Sequence, residues 1–95
     1  MYYGVSEFIV IGDNGGGDLH LLIEQYASDL RNSEDCVRCD ICFDKHRPED
    51  VMLLKIFHSA EAAERHESSE IRRDFEMAST PMIEARTVRS FSHVG

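Results

Sequence analysis

Apolar and polar positions change their period several times along the chain, and each change marks an element. Val5 to Ile11 is β-branched and aromatic, which reads as a strand. Gly12-Asp13-Asn14-Gly15-Gly16-Gly17 follows, and with no Gly-Lys-Ser/Thr or G-x-G-x-x-G in it this is a turn rather than a phosphate cradle. Asp18 is placed to cap a helix, its carboxylate accepting from the free amides of the first turn. Leu19, Leu22, Ile23, Tyr26 and Leu30 then form one helical stripe that ends near Asn32. Cys36 to Phe43 alternates and predicts a second strand. A polar turn over residues 44–50 leads to a third, Val51 to Phe57, in an antiparallel hairpin. Ser59 caps a helical stretch from Ala60 to about His66, and Ser68 or Ser69 starts another from Glu70 to about Ser79, stopped at Pro81. Ile71, Phe75 and Ala78 supply its apolar stripe. Six acidic residues and three arginines between positions 59 and 76 read as a solvated face. A last strand runs from about Ala85 to Phe91 or His93. The order is β-α-β-β-α-β with the second helix broken, a ferredoxin-like α+β unit with a four-stranded antiparallel sheet.

Composition narrows what such a unit does. The 95 residues form one domain, since a domain takes about 150. Ten Lys and Arg against 18 Asp and Glu give a net charge of −8, which repels phosphate backbones and anionic lipid and speaks against nucleic-acid or membrane partners. The longest apolar runs, Phe8–Ile11 and Val51–Leu54, fall far short of the ~20 residues of a membrane span. With no basic-then-apolar leader at the start, the expected location is the cytoplasm. The chain has no Trp.

Cys36, Cys39 and Cys42 form a C-x2-C-x2-C run that invites a metal-site reading. There is no fourth Cys, and strand alternation sends Cys39 to the face opposite Cys36 and Cys42, so one ion cannot collect all three. No His-x-His or His-x3-His pair exists either. The reading is of reduced thiols and no metal.

The element order and several motifs resemble the antibiotic biosynthesis monooxygenase family of dimeric α+β barrels, over roughly Val5 to Phe91. Glu34-Asp35-Cys36-Val37-Arg38-Cys39-Asp40 is similar to the family's start of the second strand. Val51 to Phe57 followed by Ala60-Glu61-Ala62-Ala63-Glu64-Arg65-His66 is similar to its strand–helix core, with Ser69 three residues after the histidine. The family's Pro-His-aromatic is replaced by Glu70-Ile71-Arg72, and its third-strand Glu by Lys55. Haem-degrading members carry a Trp at the position of His66, an axial His at that of Glu76 and an Asn at that of Glu7, so this resemblance does not extend to haem degradation.

What the resemblance implies is a homodimeric monooxygenase, free of cofactors, that oxidises a quinol or polyphenolic small molecule with O2. Such chemistry needs a base, a hydrogen bond to hold the substrate anion, and a dry pocket. Glu7 and His66 are the ionisable residues at family pocket positions, and His66 has the ordinary pKa of a base at neutral pH. Lys55, Phe57, His58, Phe75 and Tyr26 are the expected substrate-binding residues. Alternatively, Glu7 and Lys55 simply pair, since the first and third strands are neighbours in this fold. Two other functions fit the same residues: a small-molecule isomerase of the autoinducer-processing type, or a dimeric binding domain without catalysis.

Overall fold

A computed structural model describes all of residues 1–95. Its elements are β1 (Tyr2–Ile11), α1 (Gly16–Arg31), β2 (Cys36–Phe43), β3 (Asp50–Phe57), α2 (Ala60–Glu67), α3 (Glu70–Ser79), a 3-10 turn (Thr80–Met82) and β4 (Ile83–Val94). The sheet runs in the order β2-β3-β1-β4 with every neighbouring pair antiparallel. This is the ferredoxin-like α+β arrangement expected from the period changes.

Both short helices begin as their sequence suggests. The Ser59 hydroxyl accepts from the Ala62 amide at 3.1 Å, and the Ser69 hydroxyl from the Arg72 amide at 3.2 Å. α1 starts earlier than expected, with Gly15 in the capping position, so Asp18 lies in the first turn and acts by charge rather than as the cap. The glycine loop is a packed turn. The Gly12 amide donates to the Met82 carbonyl at 2.9 Å, and a Cβ on Gly15 would stand 2.8 Å from the same oxygen.

The helices cover one face of the sheet. Val5, Glu7, Ile9 and Ile11 of β1 and Val51, Leu53, Lys55 and Phe57 of β3 alternate onto that face and are buried. α1 closes over them with Leu19, Ile23, Tyr26, Ala27 and Leu30. The opposite face carries Phe8, Met52 and Leu54, and Phe8 is 46% exposed there.

Two local expectations are corrected. Cys36 pairs with Phe57 but Arg38 with Ile56, so Val37 is the extra residue of a bulge. The bulge resets the alternation, and Cys36 and Cys39 both turn under the helices while Cys42 stays exposed. Burial raises both thiols, Cys39 to about 11, which leaves them protonated and unreactive near neutral pH. In α3 the inward stripe is Arg72, Phe75 and Ser79, one residue round from the Ile71, Phe75 and Ala78 stripe that apolarity alone suggests. Arg72 is therefore not part of a solvated face, and the reason lies in what it meets inside.

Candidate functional site

Glu7 is the only carboxylate on the helix-facing side of β1, and it is fully buried. Water cannot solvate it, so the fold surrounds it with cations. Lys55 Nζ donates to Glu7 Oε1 at 2.9 Å. The Arg72 guanidinium grips both oxygens, at 2.7 and 3.1 Å. Arg86 Nε, on β4, lies 3.1 Å from Oε2; the approach makes an ion pair but is misaligned for a hydrogen bond, leaving that nitrogen without an acceptor. Burial alone would raise the Glu7 pKa, but the Arg72 hydrogen bonds and the Lys55 and Arg72 charges outweigh it and bring the carboxyl down to about 2. Glu7 is thus a fixed anion, and the structural pairing with Lys55 is realised.

Beside this pair stands a second, neutral chain of hydrogen bonds. The Tyr26 hydroxyl accepts from Arg72 Nη1 at 3.1 Å and from Lys55 Nζ at 3.4 Å. It lies 2.5 Å from His66 Nε2. Since both cations can only donate, the Tyr26 proton is free to point at His66, which makes Nε2 the acceptor and places the ring proton on Nδ1. Burial, then the charges of Lys55 and Arg72, depress His66 to about 4, so the imidazole is neutral at pH 7. Burial also raises the Tyr26 phenol, more than the neighbouring arginine lowers it. Phe57 stacks on His66 with ring centres 5.4 Å apart, and Phe75 lies parallel to Tyr26 at 4.1 Å.

Six of the seven site residues expected from sequence converge here: Glu7, Tyr26, Lys55, Phe57, His66 and Phe75. His58 does not. It sits beyond the end of β3, exposed, edge-on to Tyr2 at 6.0 Å. Arg72 and Arg86 join the cluster without having been expected. A buried carboxylate in an apolar strand demands cations, and that demand was the available signal for both. Arg72 also makes a 2.7 Å bond from Nε to Glu76, which lies partly in solvent.

The His66 shift fixes the direction of a pH effect. Its folded pKa lies below the unfolded value of 6.5, so the unfolded chain takes up a proton that the folded chain refuses. Stability is unaffected above pH 6.5 and falls as the pH drops towards 4, by about 3 kcal/mol across the window. Urea titrations at half-unit pH steps should show this fall and its flattening in His66→Gln; a wild-type curve level from pH 7 to 4.5 contradicts the assigned burial.

No family model matches the chain, and no curated protein matches it. Solved structures do. Rv0793 of Mycobacterium tuberculosis superposes with a TM-score of 0.90 at 12% identity, over 100% of this chain and 97% of that one. A protein from Nitrosomonas europaea, named as a candidate antibiotic biosynthesis monooxygenase, gives 0.89 at 11% identity over 98% and 90%. One so named from Chloroflexus aurantiacus gives 0.82 at 18% over 100% and 95%. The chain has their fold. The match spans both molecules almost end to end, so the helix-covered sheet against which the Glu7 and His66 cluster packs is part of the shared fold.

Proposed function

We propose that this protein belongs with the antibiotic biosynthesis monooxygenases and is a homodimeric, cofactor-independent monooxygenase acting on a small quinol or polyphenol. The observation that carries the reading is the chain from the Tyr26 hydroxyl to a neutral His66, bordered by Lys55 and Arg72 and walled by Phe57 and Phe75. The names of the fold neighbours point the same way.

In this reading the substrate hydroxyl takes the place of the long Lys55 contact on the Tyr26 oxygen and gives its proton there as Tyr26 passes its own to His66 Nε2. Burial holds His66 low first and the Lys55 and Arg72 charges second; the aromatic anion so formed offsets those charges and thereby raises the affinity of His66 for the proton. The anion passes one electron to O2, and the two radicals join at a ring carbon as a peroxide. Loss of water leaves an oxygen atom on the ring. Quinol and O2 become hydroxyquinone and water, with all four electrons supplied by the ring and no other reductant needed. Glu7 acts as the fixed counter-charge that orients Lys55 and Arg72, rather than as a second base. Phe57 and Phe75 keep water from the anion.

The face carrying Phe8, Met52 and Leu54 is the proposed dimer contact, because two such apolar faces close into a barrel. Sedimentation at micromolar concentration should give twice the 10.9 kDa chain mass. A single chain mass there sinks the dimer.

A non-catalytic binding domain is the second reading, favoured by the dense pairing of Glu7 with three cations. Oxygen-electrode assays of metal-stripped protein with a panel of quinols separate the two. Turnover above the autoxidation rate supports the oxygenase, and ligand binding without any O2 uptake supports the binding domain.

A further inference from the structure

The cluster is sealed: Glu7, Lys55, Tyr26 and Arg72 are each at most 3% exposed. A substrate must nevertheless reach the Tyr26 hydroxyl. Of the surface depressions, a cavity of about 300 Å³ near Phe8, Phe43 and Met52 touches no member of the cluster. A second, of about 260 Å³, lies between α1 and α3, and the Tyr26 and Phe75 rings form part of its wall. Tyr26 thus joins the two, its ring in the groove wall and its hydroxyl buried against Arg72. Leu22, Ile71 and Ala78 complete the apolar lining, which explains why Ile71 and Ala78 face outward although they are apolar. The groove continues past Leu21 and Met82. Asp29 and Asp74 stand at its edges, each on a different helix, with Gln25 held to Asp29 by a 3.0 Å bond.

We propose that the α1–α3 groove is the substrate mouth, and that Asp29 and Asp74 make it selective for neutral phenols over carboxylated ones. This rests on the oxygenase reading. The charge order along the path gives it chemical sense: an acidic rim admits the uncharged substrate, and the cations within then favour its ionised form. Two carboxylates near an entering anion raise its cost through water, and salt screens that effect. A cavity of about 260 Å³, just below the usual span of ligand sites, limits the ligand to one or two fused rings.

The probes are 1,4-dihydroxynaphthalene and its 2-carboxylate. In wild-type protein KM should be lower for the neutral quinol. Asp29→Asn with Asp74→Asn should lower KM for the carboxylate about three- to ten-fold at low salt, leave the neutral quinol within about two-fold, and lose the distinction in 0.5 M salt. Ala78→Trp, which fills the groove, should cut kcat/KM for the neutral quinol at least about ten-fold, whereas Met77→Trp, outside the lining, leaves it unchanged. Turnover that none of these variants alters places the mouth elsewhere and overturns the inference. If wild-type protein turns over neither quinol, the oxygenase reading falls by itself. The groove is then decided by NMR titration with 2-naphthol and 2-naphthoate. Shifts at Leu22 and Ile71 that favour the naphthol uphold the neutral-selective groove, and their absence overturns it.

Discussion

Replacing Glu7 by glutamine is expected to cost the fold about 3–5 kcal/mol, because Lys55 and Arg72 are then left buried around a neutral amide. The loss is larger than the isolated worth of an ion pair, since what is measured is the penalty of orphaned charge. Adding Arg72→Met to Glu7→Gln should recover about half of it, as one buried cation is removed with its partner. Urea unfolding of the two variants checks both numbers. A single-variant loss under about 1 kcal/mol means the pairs do not form as described. Acid adds a second signature of the same residue. The folded Glu7 pKa is depressed to about 2 from 4.5, so its stabilisation is complete above pH 4.5 and is lost as the pH falls through that range. His66 acts between pH 6.5 and 4, so the two titrations overlap only between pH 4.5 and 4.

Tyr26→Phe should lower kcat by about 10²- to 10⁴-fold, the usual worth of a positioned proton-transfer group. The ring and its stacking on Phe75 stay, so the fold is kept, at a cost of about 1–3 kcal/mol for the buried His66 acceptor left unpaired. What disappears is the only hydroxyl that links the Lys55 and Arg72 edge of the cluster to His66 Nε2. The accompanying pH profile is distinctive. His66 must be neutral to accept the proton, and it is neutral down to about pH 4, so kcat/KM for the free enzyme should hold its plateau through pH 6 and fall only near 4. A limb centred at 6.5 places the working imidazole in water rather than beneath Phe57. A Tyr26→Phe enzyme of unaltered rate removes the proton relay from the mechanism.

Much of this arrangement was legible in the chain because local signals and the tertiary fold agree. Cys36–Phe43 and Glu70–Ser79 have the boundaries expected from alternation and from the Ser69 cap. Six of the seven expected site residues meet, since each lies on an element face that the ferredoxin-like order turns inward. What was not legible depended on contacts distant in sequence. Arg72 looks like one more charge on an acidic, solvated helix until β1 presents Glu7 opposite it, 65 residues away. That pairing turns α3 by one residue and opens the groove lined by Ile71 and Ala78. Arg86 was hidden similarly, because only the register that sets it across from Ile9 brings it towards Glu7. The bulge at Val37, which puts Cys36 and Cys39 on one face, leaves no mark in the alternating pattern. His58 failed for a simpler reason: the residue after a strand follows the turn rather than the alternation of the strand.

The fate of molecular oxygen distinguishes an oxygenase from a binding domain. Metal-stripped protein is incubated with 1,4-dihydroxynaphthalene under ¹⁸O2 in chelator, and the product is read by mass spectrometry. The expected product is hydroxynaphthoquinone carrying one ¹⁸O atom, formed well above the autoxidation rate and lost in Tyr26→Phe. Product without the label, or label incorporated at the same rate by wild type and Tyr26→Phe, contradicts it.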